Sequence, residues 1–300
     1  MSKIDFITIL GPTAIGKTSL AVKLAYYFNG EIISADSRQV YKFMDIGTGK
    51  DLQDYYINDT KIEYHLIDVV HPKDDYNLFL FNQDFEKAFE IIKSKNKLPF
   101  LVGGTGLYLN SILNSYNLSC LNFSSNEYSE LYNMSNEQLV ERLKKYDHLV
   151  HNKNDYMDRD RMIKRIIILE NKNESRKDEK YNSLVIGIYT DREDNKKRIT
   201  KRLKDRLQNG LIDEVKKLIE MGISYERLYY FGLEYRYVSL YLQNKLNYND
   251  MYQKLNSQIH KFAKRQMTWF RKMEREGIQI KWFSPDDYQF IEDYIKAILE

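Results

Sequence analysis

Three hundred residues are enough for one large domain or two modest ones with a self-sufficient core. With 43% hydrophobic and 30% charged residues and no apolar run near the ~20 that a membrane span needs, neither a span nor a secretory signal is expected, and the cytoplasm is the natural compartment. The single cysteine, Cys120, excludes a disulfide framework and a Cys-rich zinc module, and a net charge of +3 is too small to specify a partner.

The first third alternates short β-branched runs with helical patterns, which argues for a parallel sheet with helices on its faces. Strands are expected at 4–10, 31–35, 65–70 and 98–102, with helices at 17–28, 81–94 and 107–113. From 113 to 181 strand signals vanish, and Asn, Ser, Lys and Glu dominate around helical patterns at 136–146 and 159–170. A strand returns at 184–189, and the last hundred residues read as helices at 192–221, 228–243, 248–276 and from 285 on. The expected division is an α/β core of 1–112 and 182–300, interrupted by a helical insertion at 113–181.

Ligands of such sheets collect beyond the carboxyl ends of the strands. There the chain places Gly11-Pro12-Thr13-Ala14-Ile15-Gly16-Lys17-Thr18, which fits G-x-x-x-x-G-K-[ST] at every fixed position between a strand and a helix. In that setting backbone N–H groups wrap a phosphate chain at a helix N-terminus, Lys17 reaches the outer phosphates, and the Thr18 hydroxyl can hold Mg²⁺. The ligand carries a di- or triphosphate; the motif alone does not say whether it is a nucleotide.

Other strand tips offer chemistry with an ordinary reading beside each. Asp36 follows the second strand, where a carboxylate takes a proton from a nucleophile, holds Mg²⁺, or merely caps an Asp-Ser turn. Asp68 resembles the acidic end of a Walker-B strand and equally suits a buried structural carboxylate. Gly103-Gly104-Thr105-Gly106 lets backbone approach a ligand closely, with Thr105 able to hydrogen-bond it, yet such turns are common. Arg198 and Arg202 share a helical face, either solvated or reaching the phosphates. Along 260–275, Lys261, Lys264, Arg265, Arg271, Lys272 and Arg275 fall within about a third of the helix circumference, opposite Phe262, Trp269, Phe270 and Met273. A face of one charge sign suits a phosphate backbone, and the basic run 159–165 strengthens the case for nucleic acid. The five histidines have no metal-ligand spacing.

Taken in order, these motifs resemble the tRNA dimethylallyltransferase (tRNA isopentenyltransferase) family nearly end to end. The resemblance rests on the P-loop, Ser34-Ala35-Asp36-Ser37-Arg38-Gln39-Val40-Tyr41, Met44-Asp45-Ile46-Gly47-Thr48-Gly49-Lys50, His65-Leu66-Ile67-Asp68 and Gly103-Gly104-Thr105-Gly106-Leu107-Tyr108. It continues in Gly210-Leu211-x-x-Glu214-Val215 and Ala263-Lys264-Arg265-Gln266-x-Thr268-Trp269-Phe270-Arg271. It implies a P-loop NTPase-like sheet whose loop, Gly11, Pro12, Thr13, Ala14, Ile15, Gly16, Lys17 and Thr18, holds dimethylallyl pyrophosphate rather than a nucleotide. The implied acceptor is the exocyclic amine of the adenosine immediately 3′ of a tRNA anticodon. By the family pattern Asp36 removes the amine proton, while Lys17, Thr18 with Mg²⁺, and Arg202 stabilise the departing pyrophosphate. Asp36, Ser37, Arg38, Gln39 and Thr105 match positions that touch the base and its backbone. Asp160, Arg161, Met162, Ile163 and Lys164 match a tRNA-gripping stretch, and Lys264 and Arg265 are expected to hold tRNA phosphates. A monomer bound to the anticodon stem-loop is expected, with no membrane partner.

The chain departs from the family at Lys164-Arg165-Ile166-Ile167 and Gly232-Leu233-Glu234-Tyr235, which bear on the tRNA grip alone. Three rivals share parts of the pattern: a nucleoside or nucleotide kinase, an adenylate isopentenyltransferase, and a non-catalytic RNA-binding module. The kinase leaves the basic–aromatic helix without a purpose. A free-nucleotide acceptor needs neither that helix nor the insertion. A binding module has no need of Lys17, Thr18 and Asp36 around one phosphate pocket.

Overall fold

Six parallel strands form the main sheet of the computed structural model, which describes residues 4–114, 126–146, 159–170 and 181–300, with backbone alone for 126–129, 160, 161, 164, 165 and 168. The strands are β1 (Phe6–Leu10), β2 (Gly30–Ala35), β5 (Tyr64–His65), β6 (Leu98–Gly103), β7 (Ser183–Ile188) and β8 (Ile280–Phe283), in the order β5-β2-β6-β1-β7-β8. A short antiparallel hairpin, β3 (Tyr56–Ile57) with β4 (Thr60–Lys61), stands apart from them.

Both faces of the sheet are covered, so its central strands are apolar at nearly every position. Phe6, Leu10, Ile33 and Leu101 share one cluster with Phe81 and Phe85 of α2 (Leu78–Ser94). Ile7, Ile9, Ile32 and Phe100 share the other with Leu20 and Leu24 of α1 (Lys17–Tyr27) and Ile291 and Ile295 of α12 (Tyr288–Leu299). The period of two along β1 sends alternate side chains to opposite cores. β1 lies at the centre, paired with β6 on one side and β7 on the other, so its carboxyl end opens onto a topological switch point.

The remaining helices of this unit are α3 (Gly106–Leu113), α7 (Arg192–Gln208), α8 (Leu211–Glu220), α9 (Tyr225–Tyr230), α10 (Leu233–Leu242) and α11 (Tyr248–Arg275). Two stretches expected as single helices are each broken by a glycine: Gly210 has φ 99° between α7 and α8, and Gly232 has φ 121° between α9 and α10. Those dihedrals lie where a side chain is strained, so a helix ends there and a new one starts in another direction.

Two other expectations are corrected. The strand foreseen at 65–70 ends at His65, because Leu66 (φ 64°) and Asp68 (φ 56°) turn left-handed; only a single bridge, Tyr41 with Val70, follows. The final hundred residues are not wholly helical, since Ile280–Phe283 adds β8 to the sheet edge.

The chain divides into two compact units, Met1–Asn114 with Lys180–Glu300, and Ser115–Glu179. The second contains α4 (Asn126–Asn133), α5 (Asn136–Lys144) and α6 (Arg159–Glu170). Its core is Leu131, Leu139, Leu143, Met162, Ile163, Ile166, Ile167 and Leu169. A capping box between Ser135 and Gln138 starts α5, and Arg142 grips both carboxylate oxygens of Glu170 at 2.7 and 2.9 Å. No helix among the described residues is long and apolar enough to cross a membrane.

Candidate active site

The phosphate-type loop leaves β1 and enters α1, whose N-cap is Gly16. Lys17 folds back so that its Nζ donates to the Pro12 carbonyl at 2.8 Å. From α7, Arg202 donates through Nη2 to the Thr13 hydroxyl, so two cations meet on one loop. Burial, then the neighbouring Arg202 charge, pulls the Lys17 ammonium down to about 7, and Asp36 opposes the shift. Burial and Arg206 push the Arg202 guanidinium down to about 9, against Glu234, Asp51 and Asp36. Both shifts have the same meaning: positive charge is concentrated here, and an anion between the two side chains would relieve it.

Asp36 stands at the end of β2, separated from β1 by β6. Its Oδ1 accepts from the Arg38 N–H at 2.9 Å, the local turn that Asp-Ser favours. The Thr105 N–H donates to the Ala35 carbonyl at 3.3 Å, and the Thr105 hydroxyl accepts from the Ser37 N–H at 3.1 Å. These two bonds tie the tips of β2 and β6 together. Between them and the P-loop lies a cleft of about 410 Å³, lined among others by Thr13, Asp36, Ser37, Arg38, Thr105 and Arg202. Arg38 crosses the ring of Tyr230 at 4.9 Å. Gln39 is turned elsewhere, accepting from the Ser34 hydroxyl at 2.9 Å and donating to the Gly49 carbonyl at 3.0 Å.

The glycines after β6 have a packing role beside the ligand-approach reading, since Gly104 and Gly106 also line the cleft. A Cβ on Gly104 would come within 2.4 Å of Gln266 Nε2, and one on Gly106 within 2.7 Å of Trp269 Cβ. It is α11 that approaches this turn closely. On α11 the buried stripe is Ile259, Ala263, Gln266, Phe270 and Met273, while Lys264 and Arg265 are exposed. Phe262 departs from the expected apolar side: it is 38% exposed and lines the cleft beside Arg265, whose guanidinium lies 5.8 Å from its ring.

Other sequence-derived candidates lie elsewhere. Asp68 pairs with Lys50, a fully buried ammonium that also donates to Asp45 at 2.8 Å and the Tyr41 carbonyl at 2.7 Å. That resolves its two readings in favour of a structural carboxylate. In the helical unit Met162 and Ile163 are buried at 3% and 0% exposure, because the 3.6-residue period of α6 points them into its core. Their side chains therefore pack rather than present a surface. The side chains of Asp160, Arg161 and Lys164 lie outside the described residues, as does Cys120.

The IPP transferase family model matches residues 39–273, and the isopentenyl transferase model matches residues 4–69. The chain belongs to the IPP transferase family. It is 46% identical to tRNA dimethylallyltransferase 1 of Syntrophus aciditrophicus over 98% of both chains, and 47% identical to tRNA dimethylallyltransferase 2 of Phocaeicola vulgatus over 100% of this chain and 98% of that one. Among solved structures it resembles the tRNA isopentenylpyrophosphate transferase of Bacillus halodurans, with 29% identity, TM-score 0.71, and 100% and 97% coverage of the two chains. It also resembles a eukaryotic dimethylallyltransferase acting on tRNA, with 26% identity, TM-score 0.80, and 99% and 78% coverage. The fold is P-loop NTPase-like, and the chain is a prenyltransferase of this family.

Within this family site, several residues went unassigned from sequence. Glu214 of α8 is buried and accepts from the N–H groups of Asp45, Ile46 and Gly47 at 2.8, 2.6 and 3.0 Å, and from the Tyr235 hydroxyl at 2.8 Å. It thereby holds the loop 44–50 against the cleft, where Gly47 and Thr48 form part of the wall. Arg206 donates to the Gly47 carbonyl and to Glu234, both at 3.3 Å. Gln266 bridges the P-loop and the turn after β6, accepting from the Thr13 N–H and donating to the Gly104 carbonyl, each at 2.9 Å. Glu214 and Gln266 share one sequence signal: a polar residue at a position where helical spacing demands an apolar one.

Proposed function

We propose that the chain transfers a dimethylallyl group from dimethylallyl pyrophosphate to the N6 amine of the tRNA adenosine 3′-adjacent to the anticodon. The observation that carries this reading is one cleft lined by Thr13 of the P-loop, the Arg202 guanidinium and the Asp36 carboxylate, with Lys17 folded onto the same loop. The N6 lone pair attacks C1 of the prenyl group, the C1–O bond breaks with its electron pair leaving on pyrophosphate, and the N6 proton passes to Asp36. Negative charge grows on the bridging oxygen as it departs, and preorganised ammonium and guanidinium groups stabilise that charge more than they stabilise the bound donor. An adenine stacked in the anticodon loop cannot reach the cleft, so the base is extruded, at a cost of a few kcal/mol.

Among the described residues no group of three or more His, Cys, Asp or Glu is placed to hold a metal. On this reading the Thr18 hydroxyl would hold Mg²⁺, an ion that keeps much of its hydration and needs few protein donors. When bound, Mg²⁺ supplies charge neutralisation to the pyrophosphate.

The direct test is transfer of label from radiolabelled dimethylallyl pyrophosphate with Mg²⁺ to unmodified tRNA, beside AMP as acceptor and ATP as competitor. Label in tRNA alone is expected. Label in AMP would move the chain to free-nucleotide acceptors, and no label with tight ATP binding would return the P-loop to a nucleotide. Asp36→Asn is expected to lower kcat about 10²- to 10⁴-fold with both substrates still bound; full activity in that variant would assign the base to another group.

A further inference from the structure

Gln266 is a polar residue inside an apolar stripe. Its neighbours on that face of α11 are Ile259, Ala263, Phe270 and Met273, and it is only 6% exposed. Burying an amide costs free energy unless its donor and acceptor are both satisfied. Here both are satisfied, and neither by its own helix: the Thr13 N–H donates to Oε1 and Nε2 donates to the Gly104 carbonyl, each at 2.9 Å.

Thr13 is where this matters. Its N–H is committed to Gln266, and its hydroxyl accepts from Arg202 Nη2. Two helices distant in sequence, α7 and α11, thus hold one P-loop residue from two sides. A Cβ at position 104 would come within 2.4 Å of the Gln266 amide nitrogen and displace it. A hydrophobe of similar volume would pack in the stripe, but it would leave the Thr13 N–H unpaired and the loop free to shift, and the guanidinium would shift with it.

We propose that Gln266 is a positioning residue for prenyl transfer: it fixes Thr13, and through the Thr13 hydroxyl it sets where the Arg202 guanidinium meets the departing pyrophosphate. It touches neither substrate in this role. The inference rests on the transfer reading above and adds to it a residue that acts through Arg202. Because Gln266 also fixes the turn after β6, the same side chain keeps the pyrophosphate end and the Asp36 end of the cleft in register.

The test uses the full chain with tRNA and dimethylallyl pyrophosphate, comparing Gln266→Leu and Gln266→Glu with the wild type between about pH 6 and 9. Gln266→Leu is expected to lower kcat about ten- to a hundredfold, the scale of a misplaced catalytic group. The KM for tRNA should stay within about twofold, because the lost interaction belongs to the transition state. Gln266→Glu discriminates further. A protonated carboxyl restores both bonds, donating to the Gly104 carbonyl and accepting from Thr13, whereas a carboxylate repels that carbonyl. Its kcat relative to wild type should therefore climb as pH falls, while the Gln266→Leu ratio stays flat. Unchanged kcat with a lower melting midpoint would overturn the proposal and leave Gln266 as packing alone. So would a loss confined to the KM for tRNA, or a Gln266→Glu ratio independent of pH. A wild-type chain that transfers no label would instead remove the transfer reading, and this inference with it.

Discussion

The two ends of the cleft hold cations in opposite circumstances. At the loop 44–50, Lys50 is paired with Asp45 and Asp68, and Arg206 with Glu234. At the P-loop, no carboxylate among the described residues forms an ion pair with Lys17 or Arg202; burial with Arg202 lowers the first, and burial with Arg206 the second. A buried charge without a counter-charge costs stability, and a chain keeps one only where something else supplies the partner. The sign is the same at both ends, and the structural cations are the more deeply buried. What separates the structural cation from the ligand-binding one is whether the protein provides the carboxylate itself.

That contrast is broken most directly by removing the charges. Lys17→Met and Arg202→Met should each lower kcat about 10²- to 10³-fold, as loss of a group facing developing negative charge does. Neither breaks an ion pair, so neither should lower the melting midpoint as far as the loss of Lys50 does. Lys50→Met should behave in the opposite way. It leaves Asp45 and Asp68 without their ammonium, and the expected loss is about 2–3 kcal/mol, below the figure for a fully buried pair because the two carboxylates are 57% and 34% exposed. Urea unfolding of the three variants checks this. A destabilised Lys17→Met beside an unaffected Lys50→Met would invert the assignment.

The sequence made the P-loop end readable and left the other end obscure, for a physical reason. Gly11 to Thr18 form a local motif whose function follows from contiguous backbone, and Asp36 is placed by the end of a strand, so eight residues and one strand boundary suffice. Lys50 finds Asp68 across 18 positions, Arg206 finds Glu234 across 28, and Glu214 reaches Asp45, Ile46 and Gly47 from more than 160 positions away. None of those pairings has a local signature. The same limit explains β8: four residues with an exposed lysine resemble a strand only once β7 lies beside them, Val185 opposite Ile280. It explains the shortened β5 as well, because apolar 66–70 looks extended until Lys50 draws Asp68 into a left-handed turn. In the helical unit, period alone identified α6, yet the basic run along it concealed that Met162 and Ile163 face inward.

Proton linkage sharpens the comparison without any change of sequence. Below about pH 7 the Lys17 ammonium is already protonated before a ligand arrives; above it, anion binding must return the proton that burial and Arg202 removed. Pyrophosphate binding to the wild type at pH 8 should therefore take up about one proton more than binding to Lys17→Met, measured by calorimetry in buffers of different ionisation enthalpy. The ratio of wild-type to variant affinity should fall by up to about tenfold per pH unit as pH rises above 7. A ratio that is flat from pH 6 to 9 would show that Lys17 is charged throughout, so that its burial is not what poises it.

The smallest expected effect concerns cations of a third kind, exposed and with no ion pair among the described residues. Lys264 and Arg265 are exposed on α11 immediately before the buried Gln266, with Arg265 also at the cleft beside Phe262. Water screens such charges, so they add little to folding, and their value lies in the counterions an RNA backbone releases when it meets them. The double variant Lys264→Ala/Arg265→Ala should keep its melting midpoint and its affinity for pyrophosphate. Its tRNA binding should weaken several-fold near physiological salt, and the slope of log K against log salt should flatten by about one to two units. Filter binding across a salt series measures both quantities. An unchanged slope would place the tRNA backbone away from this face of α11, and the one-sided charge of the helix would then be a solvated surface like any other.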